Sequence, residues 1–421
     1  MSKLIISNKK LHGQVIIPPS KSMAHRAIIC AALAKDQSKI YRVDLSDDII
    51  ATIEAIKALG ATIINSEEYI EITGIGGKIL HDNYIIDCNE SGSTLRFMIP
   101  ISMLSSGTKT FTGCGKLGTR PLTPYFDIFD EQKIPYQHES DPLNLTISQQ
   151  LKPGTFYIKA DVSSQFISGL LLTLPLLEND STINLTTELE SAPYVDLTIE
   201  MINMFGGRID NHDYKNFIIK GNQSYKSINY EVEGDYSQAA FYFVAGAIGN
   251  EISVLGLKEN SQQADAAIIP ILQRMNVVFN QENGHIALPS KLVGTIIDAK
   301  DCPDIIPILC VAASVAKGTT KIINVSRLRI KECDRVHAIV TELTKLGANI
   351  KAQDSEIIIH GVEMLIGGVE VWSHNDHRIA MSLTIAATIC KEPIYLIDSN
   401  CVSKSYPNFY QDIKSLGGKL N

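Results

Sequence analysis

The chain repeats one α/β pattern six times, and this repetition constrains the fold more than any other feature of the sequence. In each copy the end of a helix is followed by a turn and two short strands, as in "AIKALGATIINSEEYIEITG" and "ELTKLGANIKAQDSEIIIHG". The turn falls at positions 60, 133, 206, 276, 347 and 417, at intervals of 73, 73, 70, 71 and 70 residues. Four copies have Gly there, as is common after a helix, whereas the others have Lys133 and Asn276. Such a fixed period indicates six copies of one supersecondary unit.

A second pattern lies between these turns and consists of a polar loop, an apolar helix, a turn and a strand. Its six copies align on Ser22, Ser93, Ser164, Ser237, Asp304 and His377. Helices such as "MAHRAIICAALA" have no continuous polar face and are predicted to be buried, whereas "DDIIATIEAIKALG" has one polar side. Since 421 residues exceed one ordinary core, we expect two domains of three units each.

The domain boundaries are expected where the first unit of each half begins. These units begin at Ser20–Ser22 and Gly234–Ser237, so the chain should cross between domains near residues 12–20 and 227–236. The first domain is predicted to span residues 14–228, and the second to combine residues 1–13 with 229–421. Because the sixth unit is cut short at "DIKSLGGKLN", the strand "KLIIS" is expected to complete the second domain.

Composition argues against several classes of protein. No apolar run reaches the roughly 20 residues that span a bilayer, and the first residues do not resemble a signal peptide. The eight cysteines include no C-x-x-C pair, which argues against a zinc site or a disulfide framework and fits a reducing cytoplasm. A net charge of -8 disfavours broad nucleic-acid binding. An anionic ligand would therefore need locally clustered positive charge.

The buried helices carry their polar residues at their N-terminal ends, where unpaired N–H groups favour anions. Serine, threonine and aspartate at these positions are explained as helix caps. Lys21, Arg26, Arg96 and Arg378 are not, because a cation in the first turn opposes the helix dipole. These four residues favour an anion site, and the alternative is a structural ion pair with a nearby carboxylate.

Further cations and ionisable groups occur on the recurrent loops. The run "RLRIKECDR" follows the predicted strand "TKIINV", which places it on a strand-to-helix loop, although such a run can also be a solvated surface. The loop cations are Arg120, Lys331, Arg335 and Lys404, and their ionisable partners are Asp304, Glu332 and His377. So many cations favour small substrates with phosphate and carboxylate groups. No phosphate-binding G-x-x-x-x-G-K-[ST] loop and no G-x-G-x-x-G after a strand occurs in the chain.

Nine successive motifs of the chain resemble those of the 5-enolpyruvylshikimate-3-phosphate synthase family. They are "PPSKSMAHRA", "SGSTLR", "TRP", "DVSSQ", "SAPYVDLT", "EGDYSQAA", "IKECDR", "NDHRIAM" and "KSYPNF", and they span Pro18 to Phe409. The resemblance implies an α/β, two-domain enolpyruvyl-transferase-like fold, in which each domain has three βαβαββ units and the domains close on the ligands. It also implies that the enolpyruvyl group of phosphoenolpyruvate is transferred to the 5-hydroxyl of shikimate 3-phosphate, with release of phosphate. This reaction belongs to chorismate and aromatic amino acid biosynthesis, and the resemblance implies that it needs no metal or organic cofactor. We expect the protein to be a cytoplasmic monomer.

The resemblance further implies two sets of binding residues. Those for shikimate 3-phosphate are Ser22, Arg26, Ser163, Ser164, Gln165, Ser191, Tyr194, Asp304 and Lys331. Those for phosphoenolpyruvate are Lys21, Gly92, Arg96, Arg120, Gln165, Arg335, His377, Arg378 and Lys404. Three catalytic roles follow as hypotheses: Asp304 deprotonates the 5-hydroxyl, Glu332 transfers a proton at C3, and Lys21 assists the departing phosphate.

The chain departs from the family pattern in two loops. It reads Glu90-Ser91-Gly92-Ser93 where the family usually has Asn-x-Gly-Thr, so Glu90 adds negative charge beside an anion site. It has Arg327 where the family often has Asn, and an arginine can substitute there as a hydrogen-bond donor.

Two other functions are compatible with the same scaffold. UDP-N-acetylglucosamine enolpyruvyl transferase has a reactive cysteine in a loop that resembles "GCGKLGTRP", which would give Cys114 a role, but it carries Lys-Asn where this chain has Lys21-Ser22. Loss of activity on alkylating Cys114 would favour that enzyme. A catalytically inactive binding protein would be expected to lack Lys21, Asp304 or Glu332, and all three are present.

Overall fold

The computed structural model describes residues 3–281 and 284–421, which form two compact units. One unit is Pro19–Glu233, and the other combines residues 3–18 with Gly234–Asn421. Both boundaries lie five residues later in the chain than the boundaries expected after residues 13 and 228. The pairing of two strands accounts for this difference, as described below.

The helices and strands alternate along the whole chain. The α-helices are α1 Lys21–Leu33, α2 Asp47–Ala58, α3 Gly92–Ser102, α4 Thr123–Gln132, α5 Ser164–Thr173, α6 Ala192–Met204, α7 Tyr236–Ala247, α8 Ile268–Arg274, α9 Ile306–Ser314, α10 Arg335–Lys345, α11 His377–Ala387 and α12 Phe409–Ser415. The first strands are β1 Lys3–Ile6, β2 His12–Ile16, β3 Gln37–Tyr41, β4 Thr62–Asn65, β5 Tyr69–Thr73, β6 Tyr84–Asp87, β7 Thr108–Gly113, β8 Tyr136–Ser140, β9 Leu143–Ser148, β10 Thr155–Ile158, β11 Ser181–Leu185 and β12 Asp210–His212. The later strands are β13 Asn216–Ile219, β14 Asn229–Glu231, β15 Glu251–Leu255, β16 Phe279–Asn280, β17 Ile286–Ala287, β18 Ile296–Asp298, β19 Thr319–Ile323, β20 Asn349–Ala352, β21 Glu356–His360, β22 Glu370–Trp372 and β23 Ile394–Ile397.

Four sheets share one topology, in which a parallel pair of strands is extended by an antiparallel hairpin. Their strand orders are β14-β3-β5-β4, β6-β7-β9-β8, β10-β11-β13-β12 and β18-β19-β21-β20. The first three belong to the Pro19–Glu233 unit and the fourth belongs to the other unit. The hairpins that the alternating sequence predicts are therefore present in these four repeats.

The two remaining repeats are assembled from shorter pieces. One consists of β2 paired with β15 and of the hairpin β16-β17, joined through a bridge between Val254 and His285. The other has the order β22-β23-β1, and Ile6 at the end of β1 bridges to Leu420. Strand β1 lies in the segment "KLIIS", which was expected to complete the second domain, and it pairs antiparallel with β23 of the shortened sixth repeat.

Strands β2 and β14 are exchanged between the first and fourth repeats. In the other repeats the strand before the buried helix pairs in parallel with the strand after it, as β6 does with β7. In contrast, β2 precedes α1 but pairs with β15, and β14 precedes α7 but pairs with β3. The expected boundaries cut β2 and assigned β14 to the second domain. Each exchanged strand instead lies in the same compact unit as its partner, which moves both boundaries.

The six turn positions share one backbone conformation, which supports the repeat read from the sequence. Their φ angles are +107° at Gly60, +57° at Lys133, +83° at Gly206, +73° at Asn276, +92° at Gly347 and +87° at Gly417. All six lie in the left-handed region, where glycine is favoured because it lacks a Cβ. The turn geometry is thus retained even where Lys133 or Asn276 replaces glycine.

The helices predicted to be buried are buried. In α1 every residue from Met23 to Leu33 is buried, and every residue of α7, α9 and α11 is buried as well. The apolar side chains form one core in each compact unit. Because water cannot reach the middle of these helices, their charged residues lie in the first two turns, where the candidate site lies.

Candidate active site

Helix α1 presents Lys21 and Arg26, two cations that the sequence left open between an anion site and an ion pair. Lys21 Nζ lies 2.7 Å from Asp48 Oδ2, at the start of α2. The Arg26 guanidinium is buried and donates to Thr198 Oγ1 over 2.8 Å, to Ser22 O over 2.8 Å and to Tyr194 O over 2.9 Å. Lys21 therefore forms an ion pair, whereas Arg26 is oriented by neutral oxygens of α1 and α6.

Helices α3 and α5 are joined at their N-terminal turns by Gln165. Its Oε1 accepts from Arg96 Nη1 over 2.8 Å, and its Nε2 donates to Ser93 Oγ over 2.9 Å. Arg96 also lies over the ring of Phe166, with 5.1 Å from the guanidinium carbon to the ring centroid. These contacts bring together Arg96 and Gln165, which the resemblance assigns to substrates, and Ser93, which lies beside them. Ser93 supplies a hydroxyl where the family has threonine.

Gly92, the first residue of α3, allows the Arg120 side chain to approach the helix N-terminus. A Cβ at this position would lie 2.5 Å from Arg120 Nη1 and 2.9 Å from its guanidinium carbon. Arg120 follows the short 3₁₀ helix Leu117–Thr119, on the loop that contains Cys114. The structure therefore places Gly92 beside Arg120, and the resemblance assigns both residues to phosphoenolpyruvate.

Serine residues shape the starts of α5 and α6. Ser163 caps α5, since its hydroxyl accepts from Gln165 N over 3.3 Å, and Ser164 is the buried first residue of that helix. Ser191 precedes α6 with a left-handed φ of +59° and is buried. Tyr194, in the first turn of α6, uses its carbonyl to hold Arg26. These contacts connect Ser191 and Tyr194 with Arg26 through α6.

In the other compact unit, Arg335 is surrounded by three carboxylates. Its Nε donates to Asp376 Oδ2 over 2.8 Å, its Nη1 to Asp304 Oδ1 over 2.7 Å and its Nη2 to Glu332 Oε2 over 2.8 Å. The Arg335 side chain is only 1% exposed, and Asp376 is fully buried. The pKa of Arg335 is reduced by burial but is raised overall, because the three carboxylates stabilise its charge.

Asp304 is the point at which the cations of this unit meet. Besides Arg335, Lys331 Nζ lies 3.8 Å from its Oδ1, and Arg378 Nη2 lies 3.5 Å from its Oδ2. Burial raises the pKa of the Asp304 carboxyl, but the charges of Lys331, Arg335 and Arg378 outweigh it and hold the pKa well below its ordinary value. Burial lowers the pKa of Lys331 to about 8, and Asp304 opposes this shift only in part.

The segment before α11 and the end of the 3₁₀ helix Ser399–Lys404 supply the remaining residues. Asp376 caps α11 by accepting from Arg378 N over 2.8 Å. His377 and Arg378 follow as its first two residues and are buried. Lys404 Nζ donates to Asn375 O over 2.8 Å, so it contacts the segment just before His377 and Arg378, the other two residues that the resemblance assigns here to phosphoenolpyruvate.

The structure thus brings the candidate residues together in two groups, one in each compact unit. The group in Pro19–Glu233 contains Lys21, Ser22, Arg26, Gly92, Arg96, Arg120, Ser163, Ser164, Gln165, Ser191 and Tyr194. The group in the other unit contains Asp304, Lys331, Glu332, Arg335, His377, Arg378 and Lys404. Sequence reasoning missed Asp48 and Thr198, the partners of Lys21 and Arg26. Asp48 looks like an ordinary acidic residue at a helix start, and Thr198 looks like a position inside α6.

The loops that depart from the family pattern have definite surroundings. Glu90 lies over the backbone of Gly115, where an added Cβ would be 2.5 Å from its Oε2. Arg327 is buried within the 3₁₀ helix Ser326–Ile330 and contributes to the lowered pKa of Lys331. Cys114 is exposed, and its Sγ donates to Asn89 Oδ1 over 3.1 Å.

Within residues 3–281 and 284–421, no group of three or more His, Cys, Asp or Glu side chains is arranged to hold a metal ion. None of the helices in these two ranges has both the length and the apolar character that crossing a membrane requires.

Comparison with known proteins identifies one family. Residues 5–413 match the family model of EPSP synthase (3-phosphoshikimate 1-carboxyvinyltransferase). The 3-phosphoshikimate 1-carboxyvinyltransferase of Clostridium perfringens is 57% identical, with 100% of this chain and 99% of the relative covered. The enzyme of that name from Clostridioides difficile is 55% identical, with the same coverage.

Solved structures share the fold of this chain. The EPSP synthase of Acinetobacter baumannii superposes with a TM-score of 0.81 at 24% identity, and all of both chains is covered. The enolpyruvyl transferase NikO of Streptomyces tendae superposes with a TM-score of 0.77 at 17% identity, with 100% of this chain and 98% of that chain covered. At these identities the likeness concerns the fold.

Proposed function

The chain belongs to the EPSP synthase family, and from that premise we propose how its residues carry out 3-phosphoshikimate 1-carboxyvinyl transfer. The activity itself is supported by identities of 55% and 57% to enzymes of that name over the full chain. This observation favours EPSP synthase over UDP-N-acetylglucosamine enolpyruvyl transferase. The proposal concerns the roles of single residues and the order of proton transfers.

Asp304 is proposed to remove the proton of the 5-hydroxyl of shikimate 3-phosphate. A carboxylate held by Lys331, Arg335 and Arg378 is ionised but only weakly basic. Phosphate and carboxylate groups of the substrates would share the charges of Lys331 and Arg378. Their binding would then raise the pKa of Asp304, so that Asp304 becomes a better base when both substrates are present.

Glu332 is proposed to transfer the proton at C3 of phosphoenolpyruvate. It shares Arg335 with Asp304, since the two carboxylates accept from different nitrogens of one guanidinium. Arg335 therefore fixes the two proton-handling groups relative to each other.

Lys21 is proposed to stabilise the phosphate that leaves. It forms an ion pair with Asp48 at 2.7 Å and is only 16% exposed, so its ammonium is already directed by a neighbour. A phosphate anion would compete with Asp48 for this ammonium, and the competition would grow as negative charge develops on the leaving group.

The complete reaction is an addition followed by an elimination. The oxygen of the 5-hydroxyl forms a bond to C2 of phosphoenolpyruvate, its proton passes to Asp304, and C3 gains a proton from Glu332 to become a methyl group. The tetrahedral intermediate then loses inorganic phosphate from C2, while Glu332 takes a proton back from C3 and the proton held by Asp304 leaves with the phosphate. The products are 5-enolpyruvylshikimate 3-phosphate and phosphate, and no oxidant or metal is needed for the balance.

One assay tests the activity. Purified protein is mixed with shikimate 3-phosphate and phosphoenolpyruvate, and released phosphate is measured together with the mass of the product. Phosphate should appear in equal amount to 5-enolpyruvylshikimate 3-phosphate. UDP-N-acetylglucosamine in place of shikimate 3-phosphate should give no release, and folded protein without phosphate release in the first mixture would contradict the function.

The remaining features follow the family. We place the enzyme in the cytoplasm, where its phosphorylated substrates are made, and assign it a monomeric state. Light scattering of the purified protein at the assay concentration would give a mass near 46.2 kDa for a monomer.

A further inference from the structure

Glu342 is a buried carboxylate that the proposed reaction does not use. It lies on α10, seven residues after Arg335, so the two side chains are almost two full turns apart and project from nearly the same side of the helix. The Glu342 side chain is 1% exposed. Arg335 binds Asp376, and Glu342 binds Trp372 and His374, which precede Asp376 in the chain. Helix α10 therefore contacts the segment 372–376 at two points.

The contacts of Glu342 bind both ends of a short turn. Its Oε2 accepts from the backbone N–H of Trp372 over 3.0 Å, and its Oε1 accepts from His374 Nε2 over 2.9 Å. Lys345 Nζ, at the surface, donates to both oxygens over 3.0 and 2.8 Å. Burial raises the pKa of Glu342, but these hydrogen bonds and the charge of Lys345 outweigh it, so the pKa is lowered and the carboxylate stays ionised.

The turn that Glu342 holds has an unfavourable backbone. His374 and Asn375 have φ angles of +54° and +55°, so two successive residues with a Cβ lie in the left-handed region. Such a conformation persists only where surrounding contacts fix it. Three contacts do so here: Glu342 with His374, Ser373 Oγ with the N–H of Asn375 over 3.1 Å, and the Trp372 ring against His374 with centroids 4.2 Å apart.

The same turn determines where residues assigned to phosphoenolpyruvate lie. The carbonyl of Asn375 accepts from Lys404 Nζ over 2.8 Å. The next residue, Asp376, binds Arg335 and caps the helix that begins with His377 and Arg378. A change in the turn would therefore displace Lys404, His377 and Arg378 together.

We propose that Glu342 and His374 form a positioning pair that sets the phosphoenolpyruvate-binding residues by holding the left-handed turn at His374 and Asn375. Neither residue of the pair has to touch the substrate. The inference rests on the proposed function, because it assumes that Lys404, His377 and Arg378 bind phosphoenolpyruvate. It predicts that loss of the pair weakens the binding of phosphoenolpyruvate but not the binding of shikimate 3-phosphate.

Two independent variants remove the contact between Glu342 and His374, so the test does not depend on the folding of a single variant. Glu342→Leu replaces the carboxylate by an apolar side chain, which accepts a hydrogen bond from neither His374 nor Trp372. His374→Gly removes the hydrogen bond but accepts the left-handed backbone. Each should raise the KM for phosphoenolpyruvate about tenfold, since a small misplacement of binding groups has effects of this size or larger. The KM for shikimate 3-phosphate should stay within about twofold of the wild type.

Two further variants separate the pair from a general effect on stability. His374→Gln keeps a side-chain N–H donor that can reach Glu342, and it should restore most of the affinity for phosphoenolpyruvate that His374→Gly loses. Lys345→Ala removes the exposed partner of Glu342 but keeps the contacts with Trp372 and His374, and it should leave both KM values unchanged. Thermal unfolding of each variant shows that it is folded.

The outcomes distinguish the inference from the proposed function. The positioning role is overturned if folded Glu342→Leu and His374→Gly keep the wild-type KM for phosphoenolpyruvate, or if both KM values rise equally. Wild-type protein that releases no phosphate overturns the function and this inference together. If Arg378→Ala leaves the KM for phosphoenolpyruvate unchanged, the assignment of the donor site fails, whatever the Glu342 variants do.

Discussion

Arg335 Nη1 lies 2.7 Å from Asp304 Oδ1, and this contact ties a residue expected to bind phosphoenolpyruvate to the residue expected to deprotonate the acceptor. The same guanidinium holds Glu332 and Asp376. One buried cation therefore fixes both proposed proton-handling groups and the cap of α11. Changes at Arg335 should be felt in the chemistry as well as in stability.

Replacement of Asp304 by alanine should abolish most turnover. Loss of a positioned general base typically costs about 10²- to 10⁴-fold in rate, so kcat should fall by that factor while the protein still binds phosphoenolpyruvate. Steady-state phosphate release measures kcat. Asp354→Ala changes an exposed carboxylate in a loop and is the matched control. Near-normal turnover of Asp304→Ala would contradict its role as the base.

Replacement of Arg335 by methionine should destabilise the unit that contains it. The variant leaves the fully buried Asp376 without its cation, and breaking a buried ion pair in this way costs about 3–5 kcal/mol. Urea unfolding gives the change. Arg329→Met breaks a half-exposed pair with Asp334 and should cost no more than about 1 kcal/mol. Equal losses of unfolding free energy in the two variants would show that the Arg335 cluster stabilises the fold no more than the pair of Arg329 with Asp334 does.

Binding of shikimate 3-phosphate should weaken as Lys331 loses its proton. Burial lowers the pKa of Lys331 to about 8, so the free enzyme loses this positive charge above that pH. The value of kcat/KM for shikimate 3-phosphate should then decline above about pH 8, by up to about tenfold per pH unit. Lys331→Arg stays charged and should lack the decline. A decline of the same size in Lys331→Arg would assign it to another group.

The same shift has the opposite effect on stability. The folded-state pKa of Lys331 lies below the value of an exposed lysine, so the unfolded chain binds more protons between about pH 8 and pH 10.4. The contribution of Lys331 to the free energy of unfolding should therefore increase with pH in this window. Activity and stability would change in opposite directions, which separates loss of a binding charge from unfolding.

Replacement of Gly92 by alanine should weaken the binding of phosphoenolpyruvate. The new Cβ would lie 2.5 Å from Arg120 Nη1, so the guanidinium must move away from the start of α3. Loss of one hydrogen bond to a charged group costs about 1.5–3 kcal/mol, which corresponds to a KM for phosphoenolpyruvate raised at least about tenfold. The KM for shikimate 3-phosphate serves as the internal control. An unchanged KM for phosphoenolpyruvate would remove Arg120 from the donor site.

The repeat made most of the fold predictable. Interval and turn chemistry together located six helix ends, and even Lys133 and Asn276 adopt the left-handed conformation that the alignment with glycine positions implies. The exchange of β2 and β14 was not predictable, because alternation of apolar and polar residues shows that a segment is a strand but not which strand it joins. The boundaries depend on that partnership.

The charged residues of the site could be predicted from the sequence, but the residues that bind them could not. Cations in the first turns of buried helices are visible in the sequence, because they oppose the helix dipole. The oxygens that receive them are not: Asp48 and Thr198 lie on other helices and have ordinary surroundings in the sequence. Glu342 was missed for the same reason, since a glutamate in "TELTK" looks like any residue on the polar side of a helix.

Strand pairing between distant parts of the chain also sets an order of events during synthesis. Strand β1 needs β23 at Ile394–Ile397, and β2 needs β15 at Glu251–Leu255, so both leave the ribosome long before their partners exist. At about 5–20 residues per second, roughly 20–80 s separate β1 from its partner. The Pro19–Glu233 unit, in contrast, has all its strands once β14 has emerged. Residues 19–233 can therefore fold before β23 has been synthesised, whereas β1 remains without its partner strand until then.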